Sequence, residues 1–344
     1  MTTPSFYGAR DAAAAKIIGR WLWVMAALVA LMVVIGGATR LTDSGLSITQ
    51  WDLLMGTLPP LSDQAWQQAF LLYQQIPEYQ LVNKGMTLSE FKSIYWWEWG
   101  HRFLGRFIGL AFLIPALFFL FRGMMTSTGL KTKLFGLFIL ICAQGALGWY
   151  MVMSGLTERV DVSQYRLAAH LGAAVLLFVG IVWIALKLTI PGAGTGLKKE
   201  IQLRTFALWF GVAIFGQIIL GAFVAGLRAG KSYNTWPLME GRFVPEAYTA
   251  LSSFETIAGV QFHHRIGAYI VTLLAAALYL QARKAGQPFA RYSGFVVMAV
   301  MGQVLLGIWT LIAVVPISLG LLHQIGALGV LACVLLLIHK LEPR

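Results

Sequence analysis

Residues 98–121 read EWGHRFLGRFIGLAFLIPALFFLF: a polar and aromatic start, one histidine with Arg102 after it, and then an apolar run interrupted by Arg106 alone. At 1.5 Å per helical residue, such a run crosses about 30 Å of hydrocarbon. Seven more stretches have the same length and character, so the predicted spans are roughly 21–39, 99–121, 134–153, 167–187, 205–225, 260–281, 293–314 and 319–338. They are continuous and do not alternate, which selects helices over a barrel. Hydrophobic residues make up 58% of the 344-residue chain and charged residues 12%, too few charges to coat a soluble particle of this size. The predicted fold class is an all-α integral membrane protein with eight transmembrane helices.

The same stretch reveals a duplication. Shifted by 163 residues, Glu98-Trp99-Gly100-His101-Arg102 falls on Gln261-Phe262-His263-His264-Arg265. At an offset of 185, Gly36, Gly45, Ser47 and Trp51 fall on Gly221, Gly230, Ser232 and Trp236. Gln144 and Gly148 meet Gln303 and Gly307 at 159, and His170 meets His323 at 153. The offsets drift because loops differ in length, chiefly the first long loop, longer than its counterpart by the 22 residues between 185 and 163. Each repeat holds four spans, an even number, so both halves enter the membrane in the same direction, as two parallel-repeat four-helix bundles. The expected organisation is a tail at 1–20, a first half at 21–190, a linker at 191–204 and a second half at 205–344.

A net charge of +12 raises the question of nucleic acid, but the basic residues flank the spans and form no cluster with interleaved aromatics. Positive-inside bias explains them: the two tails and even-numbered loops hold 15 of the 26 Lys and Arg, against three acids, Asp11, Glu200 and Glu342. Both termini are expected in the cytoplasm and the loops 40–97 and 227–256 outside. No small-residue cleavage site follows the first span, so it is expected to be retained. Cys142 and Cys333 lie in different spans, where small buried hydrophobes are expected and neither disulfide nor metal motif is indicated. Ser62 before Asp63, the capping box Thr87-x-x-Glu90 and Ser252-x-x-Glu255 are expected helix starts, and Tyr95-Trp96-Trp97 suits an interfacial belt.

Of six histidines, the duplication selects His101, His170, His264 and His323, one pair per half, each within the outer turns of an even-numbered span. Two imidazoles from facing helices of a bundle can clamp a heme iron. Hydrogen bonding between helices or a proton relay would also use intramembrane histidine, but four at repeat positions on one side favour heme. Zinc is less attractive because no acid or thiol recurs with them. His263 sits about 100° around the helix from His264 and matches Gly100, so His264 is the expected ligand. His339 is expected to be an ordinary interfacial residue. Arg102 and Arg265 follow the ligands and are candidates for heme propionates, with lipid headgroups the competing partner. Arg106 has Tyr269 as its repeat mate. Glu98 breaks the symmetry, since Gln261 cannot exchange a proton near neutral pH. Three residues from His101 on one helix face, it is the candidate catalytic group, a partly desolvated carboxylate of raised pKa. Its competing role is helix capping or pairing with Arg102.

With Glu98-x-x-His101-Arg102, His170, His264-Arg265 and His323 in one duplicated frame, the chain resembles the heme A synthase family over nearly its whole length. Gly36-Gly37-Ala38-Thr39-Arg40-Leu41-Thr42-x-Ser44-Gly45-Leu46-Ser47 and Asn234-Thr235-Trp236-Pro237 are similar to that family's segments. The resemblance implies an inner-membrane oxidoreductase that oxidises a ring methyl of heme O to the formyl group of heme A for terminal oxidase assembly. It implies heme b between His264 and His323, and heme O as substrate between His101 and His170 beside Glu98. Implied partners are heme O synthase and oxidase assembly factors, besides membrane lipid and a possible second copy of the chain. Some members carry a cysteine pair in the first long loop; residues 40–97 have none, which resembles the subgroup without it and excludes a thiol-disulfide step. The competing function is a diheme b-type, quinol-linked electron carrier, which predicts two similar sites. A transporter is disfavoured, because no mid-membrane charge or broken helix recurs in both halves.

Overall fold

The computed structural model describes residues 7–50, 55–156 and 160–343; Trp51 of the repeat and Arg344 of the basic tail lie outside them. Ten α-helices form among the described residues: α1 Ala12–Leu41, α2 Asp63–Tyr73, α3 Pro77–Leu81, α4 Leu88–Phe121, α5 Thr128–Leu156, α6 Gln164–Thr189, α7 Lys198–Gly226, α8 Ile257–Ala285, α9 Phe289–Ile312 and α10 Ile317–Lys340. All but α2 and α3 are long and apolar enough to cross a membrane. The helices outrun the apolar stretches because their polar flanks are helical too. Thus α1 starts at Ala12, where Asp11 accepts from the Ala14 amide at 2.8 Å, inside the expected tail. Likewise α7 starts at Lys198, inside the expected linker. The seventh span stops at Ile312, two residues short of the predicted 314, because Val314 and Val315 turn to positive φ.

Local signals account for most helix starts. Ser62 caps α2, and Thr87 with Glu90 forms the full capping box of α4. Ser252 does not start α8. Thr256 takes that place by accepting from Gly259, while the Ser252 hydroxyl bonds Thr249. Pro115 lies inside α4 and lacks the N–H that would serve the Ala111 carbonyl; the Trp21 indole of α1 donates to that carbonyl instead, at 3.0 Å.

Helices α1, α4, α5 and α6 pack in one ring, and α7, α8, α9 and α10 in another. The rings meet through α1, α6, α7 and α10, which carry much of the buried apolar core. At the face of the long loops, Asp161 joins the rings by accepting from Arg40 at 2.9 Å and Arg228 at 2.8 Å. Asp43 and Arg228, 185 apart, share a left-handed backbone at φ 52° and 51° and bond each other at 3.0 Å. At the opposite face, Glu342 gathers Lys187, Arg204 and His339. His339 is buried rather than interfacial, its Nε2 at 2.6 Å from the Ile190 carbonyl. Cys333 is half-buried, but Cys142 is exposed on α5, not the buried hydrophobe expected, because α5 packs only one flank near its start.

Candidate heme sites

The four selected histidines come from α4, α6, α8 and α10, and each rests against a glycine of a neighbouring helix. A Cβ on Gly36 would lie 3.2 Å from His101 Cε1, on Gly148 3.3 Å from His170 Cε1, on Gly221 3.2 Å from His264 Cε1, and on Gly307 2.8 Å from His323 Cε1. These glycines are two repeat-related pairs. Their missing side chains are what let an imidazole come close to the adjoining backbone.

In the second ring, the His264 and His323 ring centres are 6.4 Å apart and their planes cross at 81°. Two metal–imidazole bonds of about 2 Å, extended to each ring centre, span about 6 Å. The pair therefore fits a single iron held between two imidazoles. In the first ring, His101 and His170 are close enough to interact electrostatically, and His170 Nδ1 is buried without a hydrogen-bond partner among the described residues. His263 turns away from this space: its Nε2 meets Tyr248 Oη at 3.2 Å and its ring packs on Phe254.

Sequence reading passed over one feature of these pockets. Gln217 Nε2 lies 3.1 Å from His264 Nδ1 and donates to the His264 carbonyl at 2.8 Å. Gln303 does the same to His323, at 3.1 and 2.7 Å. Gln144 reaches only the His170 carbonyl, at 3.3 Å. The signal was Gln-x-x-x-Gly, present at 144–148, 217–221 and 303–307, in which glutamine and ring-seating glycine lie one turn apart. The repeat obscured Gln217, because its mate is Met32.

Glu98 is buried, as expected, but densely partnered. It accepts from Ser47 Oγ and the Ile48 amide at 2.7 Å each, and from Arg102 Nη2 at 2.6 Å. Arg102 also donates to the Ile48 carbonyl at 2.8 Å and the Gln50 carbonyl at 3.2 Å. The pairing weighed against catalysis is thus present, and it seats the first long loop on α4. Gln261 and Arg265 repeat the device: Gln261 donates to the Ala229 and Ser232 carbonyls and accepts from Arg265 at 2.9 Å, while Arg265 holds Tyr233 and Thr235. Arg265 Nε is buried and unpartnered among the described residues, a donor suited to an anionic group.

Above the first ring, α2 and α3 form a cap for which the second ring has no α-helical counterpart among the described residues. Tyr73, Phe91, Tyr95 and Trp66 make its core. Within it Glu78, 4% exposed, accepts from Tyr73 Oη at 3.2 Å, and burial pushes its carboxyl up to about 8.

Together the fold and site define a class: polytopic helical membrane proteins built around paired intramembrane histidines. Within that class, the chain belongs to the COX15-CtaA family of cytochrome oxidase assembly proteins, whose model matches residues 19–335. It is 50% identical over 329 residues to the heme A synthase of Parvibaculum lavamentivorans, covering 94% of each chain. It is also 50% identical over 323 residues to that of Maricaulis maris, covering 91% of this chain and 92% of the relative. The heme A synthase of Bradyrhizobium diazoefficiens is 48% identical over 332 residues, with 94% of this chain and 91% of that protein covered.

Proposed function

We propose that this protein is a heme A synthase, a membrane oxidoreductase that converts heme O to heme A by oxidising a ring methyl to a formyl group. Near 50% identity over nearly the full length of proteins so named supports the activity. Within it, the half at 21–190 receives heme O between His101 and His170, and the half at 205–344 holds heme b between His264 and His323. When bound, heme b supplies one-electron redox chemistry to the neighbouring half. The division of labour rests on one observation: at equivalent places, the first half has an ionisable Glu98 and the second a Gln261, each in the same frame of serine, loop backbone and arginine.

Turning a methyl into a formyl group adds oxygen and releases electrons and protons, so the substrate half needs a proton acceptor. Glu98, one turn before His101, is the group in that half suited to the task. Arg102 orients Glu98, while Arg265, with its unpartnered Nε, is the better placed arginine for a propionate. The site lies in the inner membrane, toward the outer face, with both termini cytoplasmic. Heme O comes from a heme O synthase, and the product passes to oxidase assembly factors.

The test is chromatography of hemes extracted from purified protein expressed beside a heme O source. Heme B together with heme O or heme A is expected. Heme B alone, at two per chain, would overturn the reading in favour of an electron carrier.

A further inference from the structure

Three of the four histidine seats share one construction, and the way the halves depart from it separates them. In the second ring, Gln217 and Gln303 grip their histidines at two points, ring Nδ1 and backbone carbonyl. That grip depends on glycines one turn beyond the ligands. A Cβ on Gly267 would collide with Gln217 Oε1, and one on Gly326 with Gln303 Oε1. The first ring lacks both glycines and one of the two glutamines. Leu104 and Ala173 stand where the repeat has Gly267 and Gly326, and Met32 replaces glutamine beside His101. There Gln144 stops at the backbone, and His170 Nδ1 has no partner among the described residues.

We propose that Gln217 and Gln303 are positioning residues that lock the His264 and His323 rings crosswise, making the second half a retaining heme site, whereas the ungripped rings of the first half let a heme leave. A free imidazole spins about its side-chain bonds, so a ring bonded at Nδ1 and carried on a glycine shelf presents its Nε2 in one direction. The 81° crossing of the two planes is the consequence. An imidazole that ligates through Nε2 carries its proton on Nδ1 and needs an acceptor there. Gln217 Oε1, buried and without a partner among the described residues, provides one when the amide turns over; the bond to the His264 carbonyl is then given up, and the ring is held through Nδ1 alone. A substrate site must release what it binds. The missing grip in the first half is the feature that permits turnover there.

This inference rests on the assignment of heme b to the second half, and the experiment separates the two. Gln217→Met and Gln303→Met introduce the residue that the first half uses at position 32; Gln217→Glu keeps an acceptor of the same reach. The purified, heme-loaded full-length proteins are examined by EPR in the ferric state and challenged with apomyoglobin to measure heme loss. Crossed imidazole planes give a highly anisotropic low-spin signal, and planes free to rotate shift it toward the ordinary rhombic form. The wild type and Gln217→Glu should show the anisotropic signal. The two Met variants should move toward the rhombic form and lose heme about ten- to hundredfold faster. Unchanged signals and unchanged loss rates in both Met variants would overturn the clamp. If His264→Ala meanwhile abolishes the low-spin spectrum, the heme assignment survives that failure; if His264→Ala keeps it, the assignment itself fails.

Discussion

The two rings of this protein are built to one plan and differ in three places. Over the first lies an aromatic cap carrying the buried Glu78, and beneath it stands Glu98. Over the second, shorter loops are pinned by Gln261 and Arg265, and two glutamines hold the histidines. Duplication supplies two equivalent pockets. The proposed function needs one half that keeps its heme and one that exchanges it, and the substitutions that separate the halves are small: Glu98 against Gln261, Met32 against Gln217, Leu104 and Ala173 against Gly267 and Gly326. Each alters hydrogen-bonding chemistry or the space for it and leaves the helix frame alone. A protein can diverge in this way without refolding.

The largest expected effect comes from making the halves alike at the carboxylate. Gln261 shows that an amide fits this frame and accepts from the neighbouring arginine, so Glu98→Gln should fold and keep heme b. Heme A formation should fall by about two to four orders of magnitude, the usual worth of a general acid or base, with heme O or a hydroxylated intermediate accumulating. Heme chromatography of membranes expressing the variant reads this directly, and wild-type heme A would reduce Glu98 to a loop anchor.

A second comparison sets one glycine seat against another. The position beside His323 is tighter than that beside His170, 2.8 against 3.3 Å for an added Cβ. Gly307→Ala must therefore displace its ring and should weaken heme b retention by about tenfold, the lower range of overpacking costs. Gly148→Ala should leave the heme b content of the purified protein near the wild-type level. Equal heme b loss in both would mean that the halves do not bind separately.

The cap offers a difference in pH response. Burial raises the Glu78 carboxyl from an ordinary 4.5 to about 8, with Glu98, Asp161 and Asp43 adding to the rise. The folded cap then keeps a proton that the unfolded chain gives up. Stability should fall as pH climbs from about 4.5 to about 8 and level off above, by a total of a few kcal/mol at most. Thermal unfolding of wild type and Glu78→Gln at several pH values checks this: the slope should be absent from the variant. The smallest effect is expected at His263, whose bond to Tyr248 is worth about 1 kcal/mol. His263→Ala should keep full heme content, and heme loss there would shift the assigned ligand by one residue.

Much of this was legible in the sequence, for identifiable reasons. Apolar runs must be helical in a bilayer, so the eight spans were fixed by length, and the capping signals at Ser62 and Thr87 acted locally, as such signals do. The histidines stood out because duplication marks them twice. What failed depended on contacts between distant segments. Ser252 lost its capping role to Thr256 four residues on, and Cys142 is exposed because α5 packs on one flank. The burial of His339 follows from the Ile190 carbonyl across the chain. Gln217 was hidden because the repeat comparison seeks likeness, and its importance lies in a difference from Met32.

The central claim is that the halves hold different hemes, and one experiment addresses it most directly. Each of the four histidines is replaced singly by alanine, and the purified proteins are compared by their low-spin b-type absorption spectrum. His264→Ala and His323→Ala should lose that spectrum, while His101→Ala and His170→Ala should keep it and yield no heme A. Retention of the full spectrum in both His264→Ala and His323→Ala, or its loss in His101→Ala and His170→Ala, would contradict the account.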